Sequence, residues 1–199
     1  MSEERIVNDT LLVPTGTRPW RGLLATSVHL GHYAWTERRL FELLGAWSVL
    51  EEDPAVKVLF DAQSHEHAWH ADVLIDRLPE LREVDVDTLL VPPSEGFAAV
   101  IDTVAGFETL VERAVGLHGV LVPHLIDAYR HELAGTTEVA GASLMRWLKM
   151  ILADLSEEAS RGVELCESSL RDDSSRTLAT SVLAELTASL ERVVSLVDD

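Results

Sequence analysis

The sequence predicts an all-α protein in which two helical hairpins are joined by a long crossover and followed by a further helix. Apolar residues recur in steps of three and four along several long segments, which is the spacing of one buried helix face. Two short turn sequences, EEDP and AGTTE, each connect two of the long segments. No segment has the strict alternation that favours a strand. With 199 residues, 47% of them apolar and 25% charged, the chain can bury one substantial core.

The amino-terminal segment is expected to differ from the rest of the chain. Residues 1–19 have no helical periodicity and are expected to form an arm, which leaves residues 20–199 as a single helical domain. The first helix is predicted from about Arg21 to Leu50, where the turn sequence EEDP ends it.

The second helix should begin directly after that turn. Asp53 can cap it, and Pro54 can occupy its first turn because a proline needs no helical N–H partner there. The helix is predicted to run to about Leu78, since Pro79 cannot continue it. The first two helices should therefore form a tight hairpin.

The crossover follows, with the sequence PELREVDVDTLLVPPSEG. It contains two adjacent prolines and no helical stripe, so it is interpreted as a long connection. Fully extended, such a segment spans about 50 Å, whereas a helix of about 25 residues is only about 38 Å long. The connection can therefore travel the full length of a helical bundle.

The second half should begin at Ser94 and Glu95. Several glycines and Pro123 interrupt its helical pattern, which predicts a short helix and then a longer one kinked near Pro123. The turn sequence AGTTE precedes a long helix, and RDDSS precedes the terminal one. The predicted helices cover about residues 94–104, 107–133 and 137–170, with a terminal helix ending near Val197.

Charge and composition exclude several classes of partner. The formal net charge is −18 with only 16 Lys and Arg, which argues against nucleic acid and anionic membranes because both are recognised by clustered cations. No signal peptide and no apolar run of about 18 residues is found, so we expect a cytoplasmic protein that does not span a membrane. The single cysteine, Cys166, excludes an internal disulfide and a multi-cysteine metal site.

Polar side chains interrupt the apolar rows of the first hairpin. Glu37 falls within the apolar row of the first helix, and His67 and His70 fall within that of the second. Counted from the EEDP turn, all three lie at nearly the same level. Because an unpaired buried carboxylate or imidazole costs several kcal/mol, we expect these groups to meet.

The second hairpin has a similar pattern. His118 lies in the apolar row of the helix over residues 107–133, and Glu158 lies in that of the following helix, with Asp154 at its edge. Counted from Thr136, His118 and Asp154 are both eighteen residues away. The sequence thus predicts one buried polar layer from both hairpins, a set of imidazoles and carboxylates that suits iron, manganese or zinc. Its candidate metal ligands are Glu37, His67, His70, His118, Asp154 and Glu158.

These features together resemble the ferritin-like superfamily of carboxylate-bridged metal proteins. The resemblance lies in the order hairpin, crossover, hairpin, in Glu37, in HAWH at residues 67–70, and in ADLSEE at residues 153–158, and it covers about residues 20–170. It implies a four-helix bundle that binds iron as one or two ions, with manganese or zinc as alternatives. It also implies an oxidase or oxygenase that uses O2 on a small organic substrate, and a homodimer.

The sequence departs from the family pattern at three places. His67 stands where the family has a bridging glutamate, the helix predicted over residues 107–133 has only His118 and no glutamate at the expected depth, and the helix predicted over residues 137–170 contains no histidine. These departures favour an alternative, a metal-free bundle that acts as a structural subunit, an interaction partner or a small-molecule binder. Iron storage and a different helical bundle with a three-histidine site are further alternatives.

Overall fold

The structure, a computed structural model, describes residues 23–78, 84–136 and 138–195. All regular elements in these ranges are helical, which confirms the predicted all-α class. The chain forms two compact units, of which the first ends at Pro93 and the second begins at Ser94. The helices are α1 (Leu23–Leu50), α2 (Pro54–Ile75), α3 (Glu95–Ala105), α4 (Leu110–Ala114), α5 (Val122–Gly135), α6 (Glu138–Ser169) and α7 (Asp173–Ser195).

Two sequence-based predictions are not tested by these ranges. The predicted amino-terminal arm, residues 1–19, lies outside the described residues, and a single domain over residues 20–199 stays a prediction. Within the described residues, no helix is both long and apolar enough to cross a membrane.

The first unit is built on the α1–α2 hairpin, and its turn has the predicted chemistry. Asp53 Oδ1 accepts a hydrogen bond of 2.9 Å from the Ala55 N–H, and Pro54 is the first residue of α2. Further from the turn, the Ser64 hydroxyl of α2 donates a hydrogen bond of 2.9 Å to the Phe41 carbonyl of α1. These contacts fix the register of the two helices, and the register sets which side chains meet at mid-helix.

The carboxyl end of α2 differs from the prediction. The helix ends at Ile75 rather than at Leu78, and residues 76–78 form a turn. The Asp76 N–H still bonds to the Asp72 carbonyl at 2.9 Å, whereas the Leu78 N–H bonds to the closer Ile75 carbonyl. A proline disfavours helical geometry in the residue before it, so the tightening begins ahead of Pro79.

The end of the crossover lies directly on α1. After a short 3-10 turn, Val86–Thr88, the chain passes so close to Gly31 that a β-carbon there would overlap the Leu89 carbonyl. One residue further along α1, His32 Nδ1 lies 2.9 Å from the Val91 carbonyl oxygen. A glycine is required at this point of α1 because any side chain would push the crossover backbone away.

The second unit contains an irregular helix where a kinked one was predicted. Its first segment, α4, begins at Leu110 behind a capping box in which Thr109 and Glu112 bond reciprocally. A π-helical segment, Val115–Leu121, then separates α4 from α5. Pro123 follows this segment. Proline has no N–H to donate, and its ring clashes with the carbonyl of the preceding turn in a regular α-helix, which gives a physical reason for the wider winding.

The last two helices agree with the predicted pattern. The helix expected over residues 137–170 is α6, and the terminal helix α7 is described as far as Ser195. Before α7, Asp172 Oδ1 accepts a hydrogen bond of 2.7 Å from the Ser175 N–H, an end cap that the RDDSS turn provides.

Replacing Gly31 by alanine should destabilise the first unit. The added methyl group must displace backbone rather than a flexible side chain, so we expect the free energy of unfolding to fall by about 1–3 kcal/mol. Gly106→Ala is the matched control, because a β-carbon there would meet its nearest atoms at ordinary distances of 3.5 and 3.6 Å. Urea denaturation of both variants measures the difference, and equal effects would contradict the close approach.

Candidate metal centre

Glu37 is a fully buried carboxylate near the middle of α1. Its exposed fraction is 0%, and Ala34 and Leu40 on the same helix are buried with it. The face of α1 that carries Glu37 is turned toward α2, because the carboxylate bonds to side chains of that helix. Burying a carboxylate without partners would lower the stability of the fold by several kcal/mol. These bonds are therefore needed for the hairpin to bury Glu37.

His67 and His70 of α2 are the partners of Glu37. His67 Nδ1 lies 2.5 Å from Glu37 Oε2, and His70 Nδ1 lies 3.3 Å from the same oxygen. The two rings are nearly perpendicular, with centroids 5.8 Å apart, and both side chains are almost completely buried. The structure therefore brings together the carboxylate and the two imidazoles that the sequence placed at one level.

The electrostatics of this cluster favour an ionised Glu37. Burial acts to raise the pKa of the carboxyl, because the charged form loses its hydration. The positive charges of His67 and His70 and the hydrogen bonds from both rings act the other way and outweigh burial, so the pKa of Glu37 lies well below its usual range. The carboxylate is thus held as an acceptor between two imidazoles.

The same three side chains fit the requirements of a metal ion. One ligand atom from each residue lies within 4.8 Å of the others. Bonds from zinc to imidazole nitrogen and carboxylate oxygen are about 2.0–2.2 Å long, so the ligand atoms of a tetrahedral site stand about 3.3–3.6 Å apart. The 3.3 Å separation matches this value, and the 2.5 Å separation would have to open by about 1 Å. Two histidines and one carboxylate form the ligand set of non-haem iron sites with open positions.

Two further side chains of α2 flank this cluster. The Trp69 ring lies against His70 with centroids 5.5 Å apart, and 38% of the Trp69 side chain is exposed. Gln63 lies one turn before His67 on the same face and is fully buried. Trp69 therefore lies between the cluster and solvent on one side. The preceding turn of α2 carries the buried amide of Gln63.

The second unit brings together His118 and Glu158. His118 lies in the π-helical segment and Glu158 on α6, both buried, with Nδ1 and Oε1 3.9 Å apart. That distance is too long for a direct hydrogen bond but short enough for an ion pair. A β-carbon at Gly162 would overlap the His118 ring, so this glycine makes the space that the imidazole occupies. π-Helical turns occur frequently at functional sites.

Asp154 is less well placed than the sequence pattern suggested. It is only half-buried, one turn before Glu158 on α6. In the described part of the second unit, no three-ligand group forms around His118 and Glu158. The structure thus assembles Glu37, His67 and His70 in one unit and pairs His118 with Glu158 in the other, and one layer shared by all six stays a prediction.

Sequence reasoning missed three buried polar residues near the first cluster. His29 and His32 are 3% and 0% exposed on α1, and the bond from His32 to the crossover depends on a contact distant in sequence. Gln63 carried a usable signal, because it falls in the same row of α2 as His67 and His70. An amide in the middle of a buried stripe needs a partner just as an imidazole does.

Comparison with known proteins identifies no relative of this chain: no family model, no curated protein and no solved structure matches it. Any functional conclusion must therefore come from the chemistry of its own residues.

Replacing Glu37 by glutamine should remove a pH-dependent part of the stability. Because the folded pKa of Glu37 is depressed, the ionised group stabilises the fold above the ordinary glutamate pKa of about 4.3, and that contribution is lost as the pH falls further. The difference in unfolding free energy between wild type and Glu37→Gln should shrink by up to about 1.4 kcal/mol per pH unit below about pH 4.

Urea denaturation from about pH 6 to 3 measures this difference. Asp61→Asn is the control, because Asp61 lies on α2 with 63% of its side chain exposed and should give a much flatter difference. Parallel pH profiles for wild type and Glu37→Gln would show that the pKa of Glu37 is not lowered in the folded protein.

The contact between His118 and Gly162 can be tested with a double-mutant cycle. Gly162→Ala alone should lower the free energy of unfolding by about 1–3 kcal/mol, because the methyl group overlaps the imidazole. In the His118→Ala background the same change should be neutral or stabilising by up to about 1 kcal/mol, since alanine favours a helix over glycine. An equal effect in both backgrounds would exclude the contact.

Proposed function

We propose that this protein is a non-haem metal protein whose first unit binds one transition-metal ion, iron by preference, through Glu37, His67 and His70. The observation on which the proposal depends is the convergence of one ionised carboxylate and two imidazoles, all fully buried, within 4.8 Å. Fewer than four protein ligands would leave positions open for a small molecule, which distinguishes this set from a closed structural site.

The residues of the chain are prepared for binding in three ways. Glu37 is already ionised, so it gives up no proton when a cation arrives. His67 and His70 direct the same Nδ1 atoms toward Glu37 that would hold the ion, and only their protons must leave. Phe60 and Leu74 lie on the same row of α2 at 0% exposure, so the row that carries the site is apolar on both sides of it. Metal uptake should therefore release protons and be stronger at higher pH.

The proposed reaction class is the oxidation or oxygenation of a small organic substrate. Iron on two histidines and a carboxylate supplies activation of dioxygen. The apolar row of α2 supplies a dry environment, which strengthens electrostatic interactions and limits side reactions. We further propose a ferritin-like arrangement of the two hairpins as a four-helix bundle, which the order hairpin, crossover, hairpin supports.

The strongly acidic chain supports a small-molecule substrate rather than a nucleic-acid partner, because a net charge of −18 repels phosphate. A cytoplasmic location belongs to the same proposal. The homodimer that the resemblance implies belongs to the same proposal.

One observation favours a second candidate, a metal-free bundle in which the cluster is structural. Glu37 Oε2 already interacts with both imidazoles, so protons can satisfy the carboxylate without a cation. In that case the protein would act as a subunit, interaction partner or small-molecule binder. Metal content separates the two candidates directly.

The test is equilibrium dialysis of the purified protein against Fe(II) without oxygen, followed by elemental analysis. We expect about one ion per chain, and His70→Ala should weaken the affinity by more than about 100-fold, since even residues that only support a ligand cost 10–100-fold. His65→Ala is the matched control, because His65 lies on the same helix with 78% of its side chain exposed and should bind like wild type.

Two results would contradict the proposal. Wild type that takes up no Fe(II), Mn(II) or Zn(II) would leave the structural network as the better interpretation. Equal metal uptake by the His65 and His70 variants would place binding elsewhere. On the same samples, oxygen consumption by the iron-loaded wild type but not by His70→Ala would support the oxidase assignment.

A further inference from the structure

Gln63 is a buried amide that the described protein residues do not satisfy. Its side chain is 0% exposed, and neither Nε2 nor Oε1 has a hydrogen-bond partner among the described residues. Buried amide groups in folded proteins are nearly always hydrogen-bonded, because an unmet donor or acceptor loses its hydration without compensation. A fully buried glutamine in this condition therefore indicates a partner other than the described residues of the chain.

The neighbours of Gln63 do not meet its requirement. Ser64, the next residue, donates its hydroxyl to the Phe41 carbonyl, so that group is already engaged. One turn earlier, Phe60 packs against Trp47 with ring centroids 5.6 Å apart, and both side chains are buried. The amide thus lies between an apolar aromatic pair and the polar cluster, and the polar side is the one that can offer it a partner.

Helix geometry places His67 of the cluster next to Gln63. Residues four apart on a helix lie on one face with β-carbons about 5–6 Å apart, so Gln63 is the immediate neighbour of His67. Side chains on a helix lean toward its amino-terminal end. The His67 imidazole therefore lies over the turn that carries Gln63, and a small molecule beside that ring can reach the amide.

We propose that Gln63 binds the small ligand that enters the metal centre, donating its Nε2–H to an anion or a water molecule held beside His67. This inference rests on the proposed function, because it assigns a role within that same site. An amide is suited to the role: it is uncharged at every pH, donates to an anion, and accepts from a protonated ligand through Oε1. Gln63 is a positioning residue for the ligand rather than a fourth metal ligand.

The experiment uses Co(II) as a spectroscopic substitute for iron and azide as the small anion. Azide is titrated into the Co(II)-loaded wild type and into Gln63→Met, which keeps the length of the side chain but removes the amide. We expect Gln63→Met to weaken azide binding by about 10- to 150-fold, the effect of one hydrogen bond to an anion. The affinity for Co(II) itself should change less than about threefold.

A second measurement separates a ligand-binding role from a structural one. If the amide served the fold, Gln63→Met would unfold at a lower temperature in the metal-free state. If the amide serves a ligand, removing an unsatisfied buried group should leave the melting temperature unchanged or raise it. Ser64→Ala is the matched control, since Ser64 bonds to the protein backbone: it should lower the melting temperature and leave azide affinity unchanged.

The outcomes distinguish the two proposals. Azide affinity that is equal in wild type and Gln63→Met, with Co(II) bound in both, would overturn the role of Gln63 and leave the metal centre intact. A lower melting temperature in Gln63→Met would likewise overturn it in favour of a structural amide. Wild type that binds no Co(II) would remove the metal centre itself and the role of Gln63 with it.

Discussion

The bond network between one carboxylate and two imidazoles in the α1–α2 interface is the constraint on which the first unit depends. Burying Glu37 alone would cost several kcal/mol, so the register of the hairpin must bring His67 and His70 to it. The turn at Asp53 and Pro54 sets that register, and the bond from Ser64 to Phe41 maintains it one turn away. Local turn chemistry thus determines the geometry of a cluster that lies several helical turns distant.

The sequence was sufficient for this hairpin because every step was local. A cap, a proline and two rows with helical spacing fix which residues face each other, and counting along the rise of a helix gives their level. The same counting was insufficient in the second unit. The π-helical turns around His118 break the regular rise, and the carboxylate at ion-pair distance from His118 is that of Glu158, 3.9 Å away, whereas Asp154 is only half-buried. Contacts between residues distant in sequence could not be predicted either. The contact of the crossover with Gly31 and His32 is an example.

The two buried histidine sites differ in chemistry. At Glu37, one carboxylate oxygen, Oε2, interacts with a ring nitrogen of both imidazoles. The negative charge therefore lies where a cation would be held. Around His118 one carboxylate oxygen stands at ion-pair distance and a glycine makes room for the ring. The first site has the ligand number of a catalytic metal centre, while the second has only a pair, which suits a positioning or structural role better than tight metal binding.

In the proposed metal centre, a metal ion would compete with protons for the same atoms of Glu37, His67 and His70. The hydrogen bonds from His67 and His70 satisfy Glu37 Oε2. They leave the amide of Gln63 without a hydrogen-bond partner among the described residues. A network retained only for stability would gain from an apolar residue at that position, because a well-packed methionine has no hydration to lose. A metal ion with open positions, by contrast, would bring a small ligand whose oxygen or nitrogen could accept from that amide. The proposed ligand site therefore accounts for the burial of Gln63, which a purely structural network does not.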